Sequence, residues 1–219
     1  LMKFECGTEQ LLSAVTLAAR FVERKANLPV LGSILITAEG NQLTLKATNL
    51  ECGVEVSVSA KISVGGVVAI PGAVLYGFLG NVRGKTVTAS LVRELLVLDT
   101  ERAKASIKTV PHEDFPALPR VSAEKSFTLK TQDLTRALRS VVFCASTSAV
   151  KPELQSVLLY GDGGKLISVA TDSFRLAEKV VPLRGNTSIP QLLLPARNAA
   201  ELMRILEGMS GDVEIYYND

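Results

Sequence analysis

The residues able to do covalent or acid–base chemistry are few and scattered. His112 is the only histidine among 219 residues. A histidine-centred triad would have to use it, yet no Gly-x-Ser-x-Gly elbow accompanies it. It lies in Val110-Pro111-His112-Glu113-Asp114-Phe115-Pro116, a proline-rich stretch that reads as a surface loop. Cys6, Cys52 and Cys144 are odd in number, far apart and form no Cys-x-x-Cys pair. Each reads as a small buried hydrophobe rather than a metal ligand or disulfide partner. Asp172, Glu51 and Asp99 invite an acid–base role. No second carboxylate stands at metal-site spacing beside them, and no histidine or cysteine joins them. Asp172 reads instead as a turn residue bonded to its own backbone. The expectation is a non-catalytic protein with no cofactor and no metal.

Binding is the remaining possibility, and charge limits its kind. Lys and Arg number 24 against 22 Asp and Glu, a net charge of +2. That excludes gripping nucleic acid by bulk charge. Basic side chains must be gathered on one surface, or the grip must be something other than charge. Hydrophobic residues make up 47% and charged residues 21%, which suits a folded core and argues against disorder. No apolar run approaches the roughly 18 residues of a membrane span. The opening Leu1-Met2-Lys3-Phe4-Glu5-Cys6 lacks a signal-peptide pattern. A cytoplasmic protein without membrane contact is expected.

The elements that would position a binding surface come as a repeat. Phe4 aligned with Phe127 sets an offset of 123 residues. In that register Thr8 meets Thr131, Leu11 meets Leu134, Pro29 meets Pro152 and Ser33 meets Ser156. Gly40 meets Gly163, Ala47-Thr48 meets Ala170-Thr171, and Asn49 meets Asp172. One inserted residue later, Ile70-Pro71 matches Leu194-Pro195. Thr, Pro, Ser and Gly matches in one register exceed what shared apolar periodicity supplies.

Each copy predicts the same elements. A strand (2–6; 126–130) leads into a helix with Thr8 or Thr131 as N-cap and apolar residues at helical spacing. A hairpin follows, with Gly and Asn or Asp at the turn. Then come another strand (51–60; 174–182) and a helix opened by Pro71 or Pro195. Copy one adds strands at 95–99 and 102–109. Copy two has only 213–219 after its second helix, so the chain is expected to end inside its second repeat. Pro111–Lys125 reads as the linker. The domains are placed at 1–120 and 121–219.

Several phrases then add up. Leu28-Pro29-Val30-Leu31-Gly32-Ser33-Ile34-Leu35, Ala47-Thr48-Asn49-Leu50-Glu51, Asp114-Phe115-Pro116-Ala117-Leu118-Pro119, Leu154-Gln155-Ser156-Val157-Leu158 and Ala170-Thr171-Asp172-Ser173-Phe174-Arg175-Leu176-Ala177 stand in this order. Together they resemble the β subunit of bacterial DNA polymerase III, the sliding-clamp family, over essentially the whole chain. The resemblance implies an α+β DNA clamp fold: tandem domains, each with two helices packed on curved antiparallel sheet. It implies a homodimeric ring of three-domain subunits around double-stranded DNA. The ring would act as a processivity factor, tethering the replicative polymerase, the clamp loader and other proteins with clamp-binding motifs. A third domain would lie beyond the second.

The resemblance also carries residues. Lys25 falls at a DNA-contacting position with Arg24 beside it, and Lys151 holds the corresponding loop of copy two. Arg83, Arg139 and Arg197, with Arg20, Arg136 and Arg204, lie on or near helices that would line the hole. Gly72 and Ala73 stand where relatives carry basic residues. A cleft for short peptides would use Leu154, Thr171, Ser173, Phe174, Arg175 and Leu176. Ser173-Phe174 replaces the Gly-His frequent in the family. The alternative reading of Leu154 and Leu176 is sheet core, and for Leu176 the two readings weigh equally. The rivals are a duplicated protein-interaction scaffold that does not encircle DNA, and an enzyme with its site between the copies. The missing nucleophile and phosphate loop count against the enzyme.

Overall fold

Lys3–Gly7 alternates exposed and buried side chains, as a strand with one face on a core must, and forms β1. It runs directly into α1 (Thr8–Ala18), which buries Leu11, Ala14, Val15 and Ala18 at helical spacing. This computed structural model describes residues 2–23, 28–121, 125–148, 150–183 and 189–218. Contacts divide the chain into two units, Leu1–Pro119 and Arg120–Asp219.

In the first unit, β2 (Ser33–Glu39) and β3 (Gln42–Thr48) form a hairpin turning at Gly40, whose φ is 59°. β4 (Gly53–Ser59), β5 (Lys61–Val64) and β6 (Gly66–Pro71) follow. Next come α2 (Gly72–Asn81), β7 (Thr86–Val92), β8 (Leu95–Thr100) and β9 (Lys104–Lys108). One sheet runs β4-β3-β2-β6 and the other β5-β1-β7-β8-β9, with every pairing antiparallel. α1 and α2 pack on each other, and α1 rests on β3 and β4.

The second unit repeats this order through the strand after its second helix, without a counterpart of β5 among the described residues. It comprises β10 (Ser126–Lys130), α3 (Thr131–Arg139), β11 (Ser156–Asp162), β12 (Lys165–Thr171), β13 (Leu176–Pro182), β14 (Leu192–Pro195), α4 (Ala196–Leu206) and β15 (Asp212–Tyr216). Its larger sheet, β13-β12-β11-β14, has the topology of β4-β3-β2-β6. Ser33 pairs with Pro71 and Ser156 with Pro195, so the repeat extends to strand register. Phe4/Phe127, Leu11/Leu134, Val15/Leu138, Ile34/Val157, Leu43/Leu166 and Ala47/Ala170 are all buried. Two antiparallel layers with two helices in each unit is the α+β clamp architecture expected above.

Local details depart from the sequence reading. Thr8 and Thr131 are the first helical residues, with Gly7 and Lys130 as N-caps, and neither threonine caps through its side chain. Each N–H is already held across the sheet, Thr8 to the Lys85 carbonyl and Thr131 to that of Gly211, both at 3.0 Å. Pro71 and Pro195 are N-caps that close a strand, not first-turn residues. Val74 points outward while Leu75 and Leu79 are buried, because only one narrow stripe of α2 can face the core. Lys61–Val64, Gly66–Pro71 and Thr86–Val92 are strands that periodicity did not reveal. Asp114–Pro119 belongs to the first unit rather than hanging free. Leu118 Cδ2 lies 2.5 Å from where a Cβ on Gly53 would stand. Cys6 and Cys144 are buried as expected, but Cys52 is only half-buried at a turn. Burial, with Glu5 nearby, pushes the Cys6 thiol up to about 12, which makes it a poor nucleophile. His112 is exposed in its loop.

Candidate functional site

Two surfaces of the second unit gather the residues singled out from sequence. The first is cationic and helical. α3 carries Arg136 and Arg139 in its last turn, and α4 carries Arg204 in its last turn. Cations there complement the negative end of the helix dipole. Arg197 sits at the opposite, positive end of α4, so helix stability does not account for it. It is exposed, as is Lys151. The two share one end of the unit. The Ala196 N–H donates to Gln155 O at 2.8 Å, and the Leu154 and Gln155 N–H groups donate to Lys151 O at 3.0 and 3.3 Å.

The first unit differs. Neither α1 (TEQLLSAVTLA) nor α2 (GAVLYGFLGN) contains a lysine or arginine. Arg20 lies in the 3-10 turn after α1. Arg83 is exposed in the segment after α2. Arg24 and Lys25 lie outside the described residues. Helical positive charge is thus concentrated in the second unit among the described residues.

The second surface is the turn between β12 and β13. The Phe174 and Arg175 N–H groups donate to Asp172 Oδ1 at 3.0 and 2.9 Å. The Thr171 hydroxyl donates to Arg175 O at 2.7 Å and accepts the Ser173 N–H at 3.1 Å. Asp172 therefore bonds its own backbone, as its type predicts. These N–H donors, Arg175's first and Phe174's next, hold its carboxyl below the ordinary carboxylate range, and the Arg175 guanidinium adds to them. Ser173 takes φ 76°, a left-handed conformation that glycine adopts without strain.

Thr171 and Asp172 spend their polar atoms inside the turn, leaving apolar groups outside it. Phe174 is 98% exposed and Leu176 65%. The core reading of Leu176 therefore fails. As the first residue of β13 it stands opposite Thr171 on the edge strand, open to solvent. Arg175 reaches back, with Nε 3.0 Å from Asp172 Oδ2 and Nη2 2.9 Å from Phe143 O. Ser146 N–H donates to Leu154 O at 2.8 Å. The segment from Phe143 to Ser146 thus links half-buried Leu154 to the turn. Phe143, itself 60% exposed, is a member of this surface that sequence reasoning missed. A lone aromatic after a helix carries no spacing signal.

Comparisons with known proteins agree along the chain. Residues 2–119 match the family model for the DNA polymerase III beta subunit, N-terminal domain, and residues 128–219 that for its central domain. A beta sliding clamp from Synechocystis is 30% identical, covering 100% of this chain and 62% of the relative. The Escherichia coli beta sliding clamp is 27% identical, covering 94% of this chain and 57% of the relative. The crystal structure of the DNA polymerase III subunit beta from Pseudomonas aeruginosa superposes with TM-score 0.92 at 28% identity, over 98% of this chain and 59% of that one. The chain thus spans about three fifths of these relatives' length.

Proposed function

The chain belongs to the DNA polymerase III beta-subunit family, and we propose that it supplies domains I and II of a sliding clamp that encircles duplex DNA. The ring is completed by the rest of the subunit, since this chain spans about three fifths of its relatives' length. The clamp acts as a homodimeric processivity factor. It performs no catalysis and works in the cytoplasm, where the bacterial chromosome is replicated. No helix among the described residues is long and apolar enough to cross a membrane.

One observation carries this reading: two copies of one α+β unit, matched in order to the family's first two domains. A ring holds DNA by topology, so a net charge of +2 suffices. Exposed basic side chains then meet phosphates through screened, readily broken contacts. Lys151, Arg197 and Arg139 take this role in the second unit. Arg83, with Arg24 and Lys25, takes it in the first.

The β12–β13 turn is the second-domain wall of the cleft that captures linear motifs of the replicative polymerase, the clamp loader and other partners. Leu154, Phe174 and Leu176 supply its apolar wall, and Thr171, Ser173 and Arg175 shape it. Tethering raises the polymerase's effective concentration at the primer end.

The test uses the full-length subunit loaded by its clamp loader onto circular primed DNA. Retention on circles and loss on linearisation is the expected result. Retention indifferent to free ends would establish a scaffold and overturn the ring.

A further inference from the structure

We infer that three of the four arginines on the second unit's helices are held in reserve by carboxylates, so that a phosphate contact made by one of them exchanges one ion pair for another. This rests on the DNA-encircling reading above. Among the described residues, three of the four arginines of α3 and α4 face an acidic partner. Arg136 Nη1 lies 3.7 Å from Asp133 Oδ1 within α3. Arg204 pairs with Glu201 within α4. Arg139, the last residue of α3, pairs with Glu207, which follows α4 and lies 68 residues away in sequence. All three arginine side chains are 56–62% exposed, so water and a phosphate can reach them. Among the described residues, Arg197 and Lys151 form no ion pair.

The physical consequence follows from exchange. An unpaired cation that meets a phosphate releases a condensed counterion, which steepens salt dependence by about 0.9 per contact. A cation already paired with a carboxylate must give up that partner first. Its net gain is the small difference between two solvent-exposed ion pairs. Paired arginines therefore smooth the energy between successive phosphate registers, whereas Arg197 and Lys151 grip directly. Sliding needs such a surface: enough positive charge to exclude no register, too little net gain in any one to stop.

The experiment measures diffusion of loaded full-length rings on stretched duplex DNA across a salt series. D133N/E201Q/E207Q frees three arginines. E178Q is the single-charge control and is compared with E207Q. It makes the same charge change on β13, whose alternation places Glu178 opposite the core-facing Val181. Expected are diffusion slowed about two- to fivefold per freed arginine and a log–log salt dependence steepened by about 0.9 for each. R197Q should speed diffusion more than R139Q, and R139Q should gain effect in the E207Q background. Rings of the triple variant that diffuse as the parent does, or E178Q rings that slow as E207Q rings do, would overturn ion-pair exchange. Subunits never retained on circular DNA would overturn the clamp reading beneath it.

Discussion

Thr48–Cys52 in the first unit and Thr171–Arg175 in the second are the same turn carrying different side chains. The Thr48 hydroxyl donates to Cys52 O and accepts the Leu50 N–H, as Thr171 does with Arg175 and Ser173. Asn49 Oδ1 accepts the N–H groups of Glu51 and Cys52, as Asp172 Oδ1 does those of Phe174 and Arg175. Leu50 takes φ 72° where Ser173 takes 76°. A threonine and an Asx residue thus fix the backbone, and the positions after them are free to diverge. They diverge beside the turn. In the first unit Gly53 leaves room for Leu118 of the same unit. In the second, the matching position is exposed Leu176. One copy fills the place next to its turn from its own chain, and the other presents an apolar surface.

The largest expected effect breaks this difference. Gly53→Leu, which puts the second unit's residue into the first, must displace Leu118 and crowd Ala47 O. It should destabilise the protein by about 2 kcal/mol in denaturant unfolding. Leu118→Ala should then recover much of that loss. A Gly53→Leu protein as stable as its parent would show that Leu118 does not need the space.

A smaller effect compares the helix starts. Thr131 Oγ1 donates to Gly211 O at 3.0 Å, but the buried Thr8 Oγ1 has no hydrogen-bond partner among the described residues. Thr131→Val should cost about 1 kcal/mol for the lost bond. Thr8→Val should be neutral or stabilising, since it removes an unsatisfied hydroxyl. Equal melting losses for the two variants would erase the distinction.

The smallest effect is one of pH. The Asp172 carboxyl titrates below its ordinary value of 3.8. Its stabilisation of the turn is therefore full above the unfolded value and lost as pH falls through the lowered folded value. Asn49 carries no charge, so its turn should not respond. Amide exchange at Phe174 and Arg175 should quicken in acid while exchange at Glu51 and Cys52 tracks only the intrinsic rate. Asp172→Asn should abolish that contrast. Parallel acid responses in both turns would locate the effect elsewhere.

Much of the fold was legible because the chain says it twice. Paired apolar positions such as Leu11/Leu134 identified the core of both units without coordinates. Asp172 was legible as a turn residue because its hydrogen bonds reach only two and three residues along the chain. The short edge strands Lys61–Val64 and Gly66–Pro71 were not, because runs of four and six residues carry little periodic signal. The residues proposed for the cleft were named from sequence, but which of them build the turn and which face outward was not. Thr171 and Asp172 build the turn, while Phe174 and Leu176 face outward.

The sequence by itself determined the duplication, the α+β class, the family and the local turns, since each is written in residue type at short or constant spacing. Only the tertiary structure decided which groups are spent and which are free. Arg139 meets Glu207 across 68 residues, Arg175 meets Phe143 across 32, and Leu118 covers Gly53. Ion pairs, exposure and crowding depend on distance in space, and a linear pattern specifies that only where neighbours in the chain are also neighbours in the fold.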